Sequence, residues 1–155
     1  MTLIESPVGS PPMAVRRVGY LLAGLINLGV LYAVNITPGW KALPFLTSDT
    51  ELVLPLVNLS LAVGVVANLA YAARDPDWGK ALGNLVSGLV GIAAMARIWA
   101  VFPFDFDAYS FDWGLLTRIV LFVAIFGSLI GIIAACVGLV RAQFENGTRQ
   151  PERRA

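Results

Sequence analysis

Residues 119–140 read IVLFVAIFGSLIGIIAACVGLV, a run without one charged side chain. A helix of that length spans ~33 Å at ~1.5 Å per residue. The hydrocarbon core of a bilayer is ~30 Å thick. The run is continuously apolar rather than alternating, which disfavours a barrel strand. Lipid offers no partner to backbone N–H and C=O groups, so a helix, which satisfies its own, is the expected form.

Three more stretches fit the same description. Residues 18–40 and 52–73 carry no charge, and residues 81–104 carry only Arg97. The chain has 155 residues, of which 57% are hydrophobic and 14% charged. An ordinary soluble domain is about half apolar and about a quarter charged. One domain of this size cannot hide so much apolar surface from water. The expectation is an all-α membrane protein, a four-transmembrane-helix bundle with antiparallel up-down connectivity. Residues 1–15 and 142–155 are expected to be disordered cytoplasmic tails, and 16–141 the membrane domain.

Several residues suggest where helices begin and end. Ser48 and Glu51 form an S-x-x-E pattern that would open helix 2 as a capping box. Pro55 would then fall inside that helix and bend it. Asp75-Pro76 suits the start of helix 3. Pro103 disfavours helix at Phe102, and Asp112 suits the cap of helix 4. Trp40, Trp78, Trp99 and Trp113 all fall near helix ends, as the aromatic belts of a membrane protein do.

Orientation follows from basic residues. Arg16, Arg17, Arg74, Lys80, Arg141, Arg149, Arg153 and Arg154 would share one side, against Lys41, Arg97 and Arg118 on or near the other. The excess predicts both termini in the cytoplasm of a cell-membrane protein. The first 15 residues hold no apolar core of a signal peptide, so none is expected to be cleaved.

The inventory excludes much chemistry. The chain has no His and a single Cys, so no Ser–His or Cys–His pair can form and no haem can take a His ligand. The net charge of +1 argues against nucleic acid as a partner. No cofactor or metal site is expected. Calcium ligation by Asp105, Asp107 and Asp112 is disfavoured, because their spacing lacks the glycine turn and distal Glu of an EF-hand loop.

Arg97 stands out as a charge inside a span, where such residues usually face a bundle interior or a wet cavity. On helix 3 it lies beside a small-residue stripe of Gly83, Ser87, Gly91 and Ala94. It is expected to pair with Asp105 or Asp107, or to hold an anionic solute. Arg118 is expected to snorkel to headgroups. Asn27 and Asn58 lie deepest among the membrane asparagines, and each should find a partner on another helix. The sequon Asn35-Ile36-Thr37 lies too near the membrane for a persuasive glycosylation site. Helix 4 carries Gly127, Ser128, Gly131, Ala135 and Gly138 at close-packing spacings. Packing inside the chain is the first expectation for that stripe, and a homo-oligomer the second.

The segment FPFDFDAYSFDWG, residues 102–114, alternates rings and carboxylates. A period of two puts Phe102, Phe104 and Phe106 on one side and Asp105 and Asp107 on the other. Tyr109, Phe111 and Trp113 continue the alternation, shifted by one residue. An interfacial belt on headgroups is one expectation for this segment. Recognition of a membrane or envelope partner by Phe104, Phe106, Tyr109, Phe111 and Trp113 is the other.

The four-span plan is similar to that of the small multidrug-resistance transporters. Those depend on a glutamate in the first helix, whereas here no acidic residue lies between Glu5 and Asp49. The resemblance therefore implies the plan and not the mechanism. Nine Arg against two Lys, with abundant Ala, Gly and Val, also resembles small membrane proteins of GC-rich bacterial genomes. The function expected from these residues is non-enzymatic: an accessory or interaction subunit of the lipid bilayer. A small channel or transporter using Arg97, Asn27 and Asn58 is the alternative.

Overall fold

The computed structural model of the chain describes residues 12–74 and 77–148. It is all-helical, with α1 over Met13–Asn35, α2 over Leu54–Ala73, α3 over Asp77–Val101 and α4 over Trp113–Thr148. Short 3₁₀ turns at Trp40–Ala42 and Ser48–Leu52 fill the loop between α1 and α2. Each of the four long helices is long and apolar enough to cross a membrane.

The boundaries differ from expectation for identifiable reasons. α1 ends at Asn35 rather than at 40, because Pro38 follows and pushes Thr37 out of the helical region. Gly39 then turns the chain with φ of 80°, a conformation open to glycine. The expected capping box does not form. Ser48 to Leu52 makes a 3₁₀ turn without a side-chain cap bond, and α2 starts at Leu54. Pro55 explains this. Its ring would clash with the carbonyl four residues back, but its missing N–H costs nothing in a first turn. It therefore opens α2 and does not bend it. α3 stops at Val101, short of 104, as Pro103 requires. Asp112 caps α4, its Oδ1 accepting the Leu115 N–H at 2.8 Å. α4 then runs to Thr148, so 142–148 continue the helix where a tail was expected. The expected Asp75-Pro76 start of helix 3 lies outside the described residues.

The helices pack in chain order: α1 on α2, α2 on α3, α3 on α4, with no comparable interface between α1 and α4 among the described residues. Few residues are buried: Gly24, Thr50, Val53, Tyr71, Ala94 and Pro103 among those described. Leu25, Ile26, Val66, Val123, Ile130 and Ile133 each turn most of their surface outward. Exposing such side chains to water forgoes about 25 cal/mol per Å² of apolar area. Four apolar helices with apolar outer surfaces are compatible with a multi-pass integral membrane protein.

A polar seam joins α1 to α2. Asn35 and Asn58 exchange amide hydrogen bonds at 2.9 and 2.8 Å. Farther along, the Asn27 amide lies over Gly64, where an added Cβ would stand 2.8 Å from its Nδ2. Gly24 faces Asn68 in the same way at 3.4 Å. Tyr20 and Tyr71 end the seam as an edge-to-face pair with centroids 5.5 Å apart. Contacting positions thus fall along α2 as they rise along α1.

Small residues on α3 set the other two interfaces. Tyr71 of α2 presses its hydroxyl against Gly83, and any Cβ there would collide with it. Ile132 of α4 fills the space beside Gly88, where a Cβ would meet its Cγ1 at 3.1 Å. Within the chain, the close approach expected of helix 4 is not made at its glycines, although Ser128 of the same stripe turns partly inward. Gly127 and Gly131 are exposed, and a Cβ on either would meet nothing within 4 Å. α4 turns Leu121, Ala124, Ile125, Ser128 and Ile132 partly inward instead. The tight approach needs one glycine facing one large side chain, and the glycine belongs to α3. The side chains of Ala135 and Gly138 lie outside the described residues.

Candidate functional site

The best-built part of the molecule is the end that carries the two longer loops. An isolated antiparallel bridge joins Leu46 to Phe104. The Thr47 N–H donates to the Pro103 carbonyl at 3.1 Å, and the Asp105 N–H to the Phe45 carbonyl at 2.9 Å. Pro103 is fully buried, and Thr50 and Val53 are each 4% exposed. The loops therefore hold each other by backbone bonds around a small buried core, which makes their outer surface a defined shape.

Local sequence explains the second loop. Pro103 bars helix at Phe102, and Phe102 takes φ of 46°. A left-handed backbone is strained for a bulky residue, so its surroundings must hold it there. The Arg118 guanidinium lies 4.0 Å from the Phe102 ring centroid and 5.5 Å from that of Trp99. Phe104 meets Phe102 edge-on at 5.4 Å.

The expected alternation appears as a continuous row of rings. Phe104 stacks on Phe106 at 5.7 Å, and Phe106 stacks on Phe45 of the other loop at 5.8 Å. Tyr109 closes on Phe106 edge-on at 6.3 Å. The aromatic residues thus divide into two groups. Phe104 and Phe106 are half-buried in the row, whereas Tyr109, Phe111 and Trp113 are exposed.

An open cleft of about 730 Å³ lies along the exposed group. Asp105, Asp107 and Asp112 line it beside Phe106, Tyr109 and Phe111. A second cleft, about 390 Å³ and almost wholly aromatic, lies behind it, and the two share Phe104, Phe106, Tyr109 and Trp113. Asp105 Oδ1 accepts the Asp107 N–H at 3.0 Å, and Asp112 is engaged in its cap. Among the described residues no cation pairs with these three carboxylates. The ion pair at this end is Lys41 with Glu51, at 3.9 Å between exposed groups. Aromatic faces and carboxylates both attract cations, so the cleft favours a basic group.

Arg97 departs from expectation. Its Nε donates to the Leu52 carbonyl at 3.3 Å, and it pairs with neither Asp105 nor Asp107 among the described residues. The 3₁₀ turn leaves that carbonyl outside the α2 ladder, and a guanidinium at the end of α3 is within reach of it. The carboxylates ride on the loop above and face the cleft. Asn58 has its interhelical partner in Asn35. Asn27 bonds to the Ala23 carbonyl of its own helix at 3.1 Å and contacts α2 by packing on Gly64. Asn35, the sequon residue, is engaged with Leu31 and Asn58. Neither of these two clefts is lined by Arg97, Asn27 or Asn58. A first span read through Pro38 places Asn35 inside a helix, whereas the structure puts it at the end of α1, where it meets Asn58.

Among the described residues no group of three or more His, Cys, Asp or Glu side chains converges as a metal site. No protein-family model matches the chain, and no curated protein or solved structure is significantly similar to it.

Proposed function

We propose that the chain is a non-enzymatic accessory or interaction subunit of the cell membrane, working through its two interlocked loops. It crosses the bilayer four times with antiparallel up-down connectivity and keeps both termini in the cytoplasm. The opposite runs of contacting positions along α1 and α2 support this connectivity, and the basic-residue excess supports the orientation.

One observation carries the reading. The loops bury Pro103, Thr50 and Val53 while leaving Tyr109 43% and Phe111 57% exposed beside three carboxylates. Rigid exposed rings supply binding energy, and the carboxylates select a basic face on a membrane or envelope protein. Photocrosslinking from Tyr109 and Phe111 in intact cells tests it. A discrete protein adduct that weakens with Asp105→Asn plus Asp107→Asn is expected. Capture of lipid alone from both positions would reduce the segment to an interfacial belt.

A further inference from the structure

Arg118 sits about five residues, or ~7.5 Å, inside the start of α4. It is exposed, and its face of α4 is apolar. Leu115 and Phe122 lie within about 60° of it on the helix, and both are more than half exposed. One side of the guanidinium is covered by Phe102 at 4.0 Å and Trp99 at 5.5 Å. Among the described residues nothing accepts a hydrogen bond from it. Asp112, the nearest carboxylate in sequence, is spent on the cap of α4, and Asp105 and Asp107 line the cleft.

A guanidinium surrounded by acyl chains and facing no protein acceptor would carry a large desolvation cost. Phe102 and Trp99 hold the guanidinium between them and the open surface of α4, and because Arg118 is exposed its N–H donors remain accessible to a ligand. A planar fork matches the two oxygens of a phosphate. The layer at that depth, just inside the helix ends, borders the lipid phosphates. We propose that Arg118, mounted on Phe102 and Trp99, is a binding site for the phosphate of an anionic phospholipid headgroup in the outer leaflet. The site rests on the membrane-spanning reading above and does not depend on the loop partner.

The test uses the full chain in neutral detergent free of phospholipid. Phosphatidylglycerol, or inorganic phosphate at the same concentration, is added and Tm is measured. Phosphatidylglycerol should raise the Tm of the unaltered protein, and inorganic phosphate should not. Arg118→Gln, compared with its own Tm before lipid is added, should lose more than half of that rise. An undiminished rise in Arg118→Gln would overturn the site, and inorganic phosphate matching the lipid would overturn the lipid as its occupant. If Arg118→Gln does not fold, Arg118→Lys decides, since it keeps the charge and loses the stacked fork. A smaller rise than in the unaltered protein supports the site, and an equal one overturns it. Carbonate washing of membranes separates the two levels. Release of the unaltered chain would defeat the membrane reading, whereas retention without a lipid-dependent rise defeats the site alone.

Discussion

Asn35, the last residue of α1, and Asn58, in the second turn of α2, hold each other through two amide hydrogen bonds of 2.9 and 2.8 Å. Asn35 also donates to the Leu31 carbonyl of its own helix at 2.7 Å. The pair sets the register of α1 against α2 next to the loop end. Each amide satisfies the other, so neither is left bare in an apolar setting.

That reciprocity predicts non-additivity. Asn35→Leu or Asn58→Leu alone strands the partner amide and should cost about 1 kcal/mol, the scale of such bonds in membrane proteins. The double variant leaves no stranded group, so its cost should be smaller than the sum of the two. Thermal or denaturant unfolding in detergent, arranged as a double-mutant cycle, measures this. Additive costs would show that the pair is not coupled.

Glycine contacts separate α3 from α4. Gly88→Leu would drive a side chain into Ile132, and overpacking of this kind costs about 1–3 kcal/mol. Gly131 has open space where a Cβ would be, so Gly131→Leu should change stability by no more than about 0.5 kcal/mol. Folded yield and Tm of the two variants check the order. A reversed order would place the α3–α4 contact on the Gly127–Gly131 face.

Arg97 and the loop carboxylates should be energetically independent. Arg97→Gln removes a charge-assisted bond to the Leu52 carbonyl and should cost about 1.5 kcal/mol or more. Combined with Asp105→Asn and Asp107→Asn, its cost should stay within about 0.5 kcal/mol of the value alone. Tm measurements on the single and combined variants decide. A clear coupling energy would show that Arg97 pairs with a carboxylate in the membrane.

The proposed orientation predicts an accessibility pattern. Ser48 and Ser110 are exposed at the loop end. Single cysteines placed there, in a Cys136→Ala background, should react with an impermeant thiol reagent added outside intact cells. A cysteine at Ser6 should react only after the membrane is opened. The opposite pattern would invert the topology.

Four helical runs and the stops between them could be read from local chemistry. Apolar length selects helix in lipid, Pro103 ends α3, and Asp112 caps α4. Even the misplaced end of α1 and start of α2 were written locally, since Pro38 and Pro55 carry the information that corrects them. The alternation of residues 102–113 pointed to a row of rings, and Phe104 and Phe106 do stack, but rings and carboxylates line one cleft together instead of taking opposite sides. What could not be read was which residues meet. Asn35 with Asn58, Gly88 with Ile132, Arg118 with Phe102 and Arg97 with the Leu52 carbonyl are separated by 16 to 45 positions in the chain. Each depends on the rotation and register of one helix against another helix or against a loop. A stripe of small residues is compatible with several such rotations, and Gly88, which lies outside the stripe read on helix 3, is the glycine that meets the bulk of Ile132. Composition decides which segments leave water, but shape complementarity between helices decides which faces touch, and that exists only once the chain is folded.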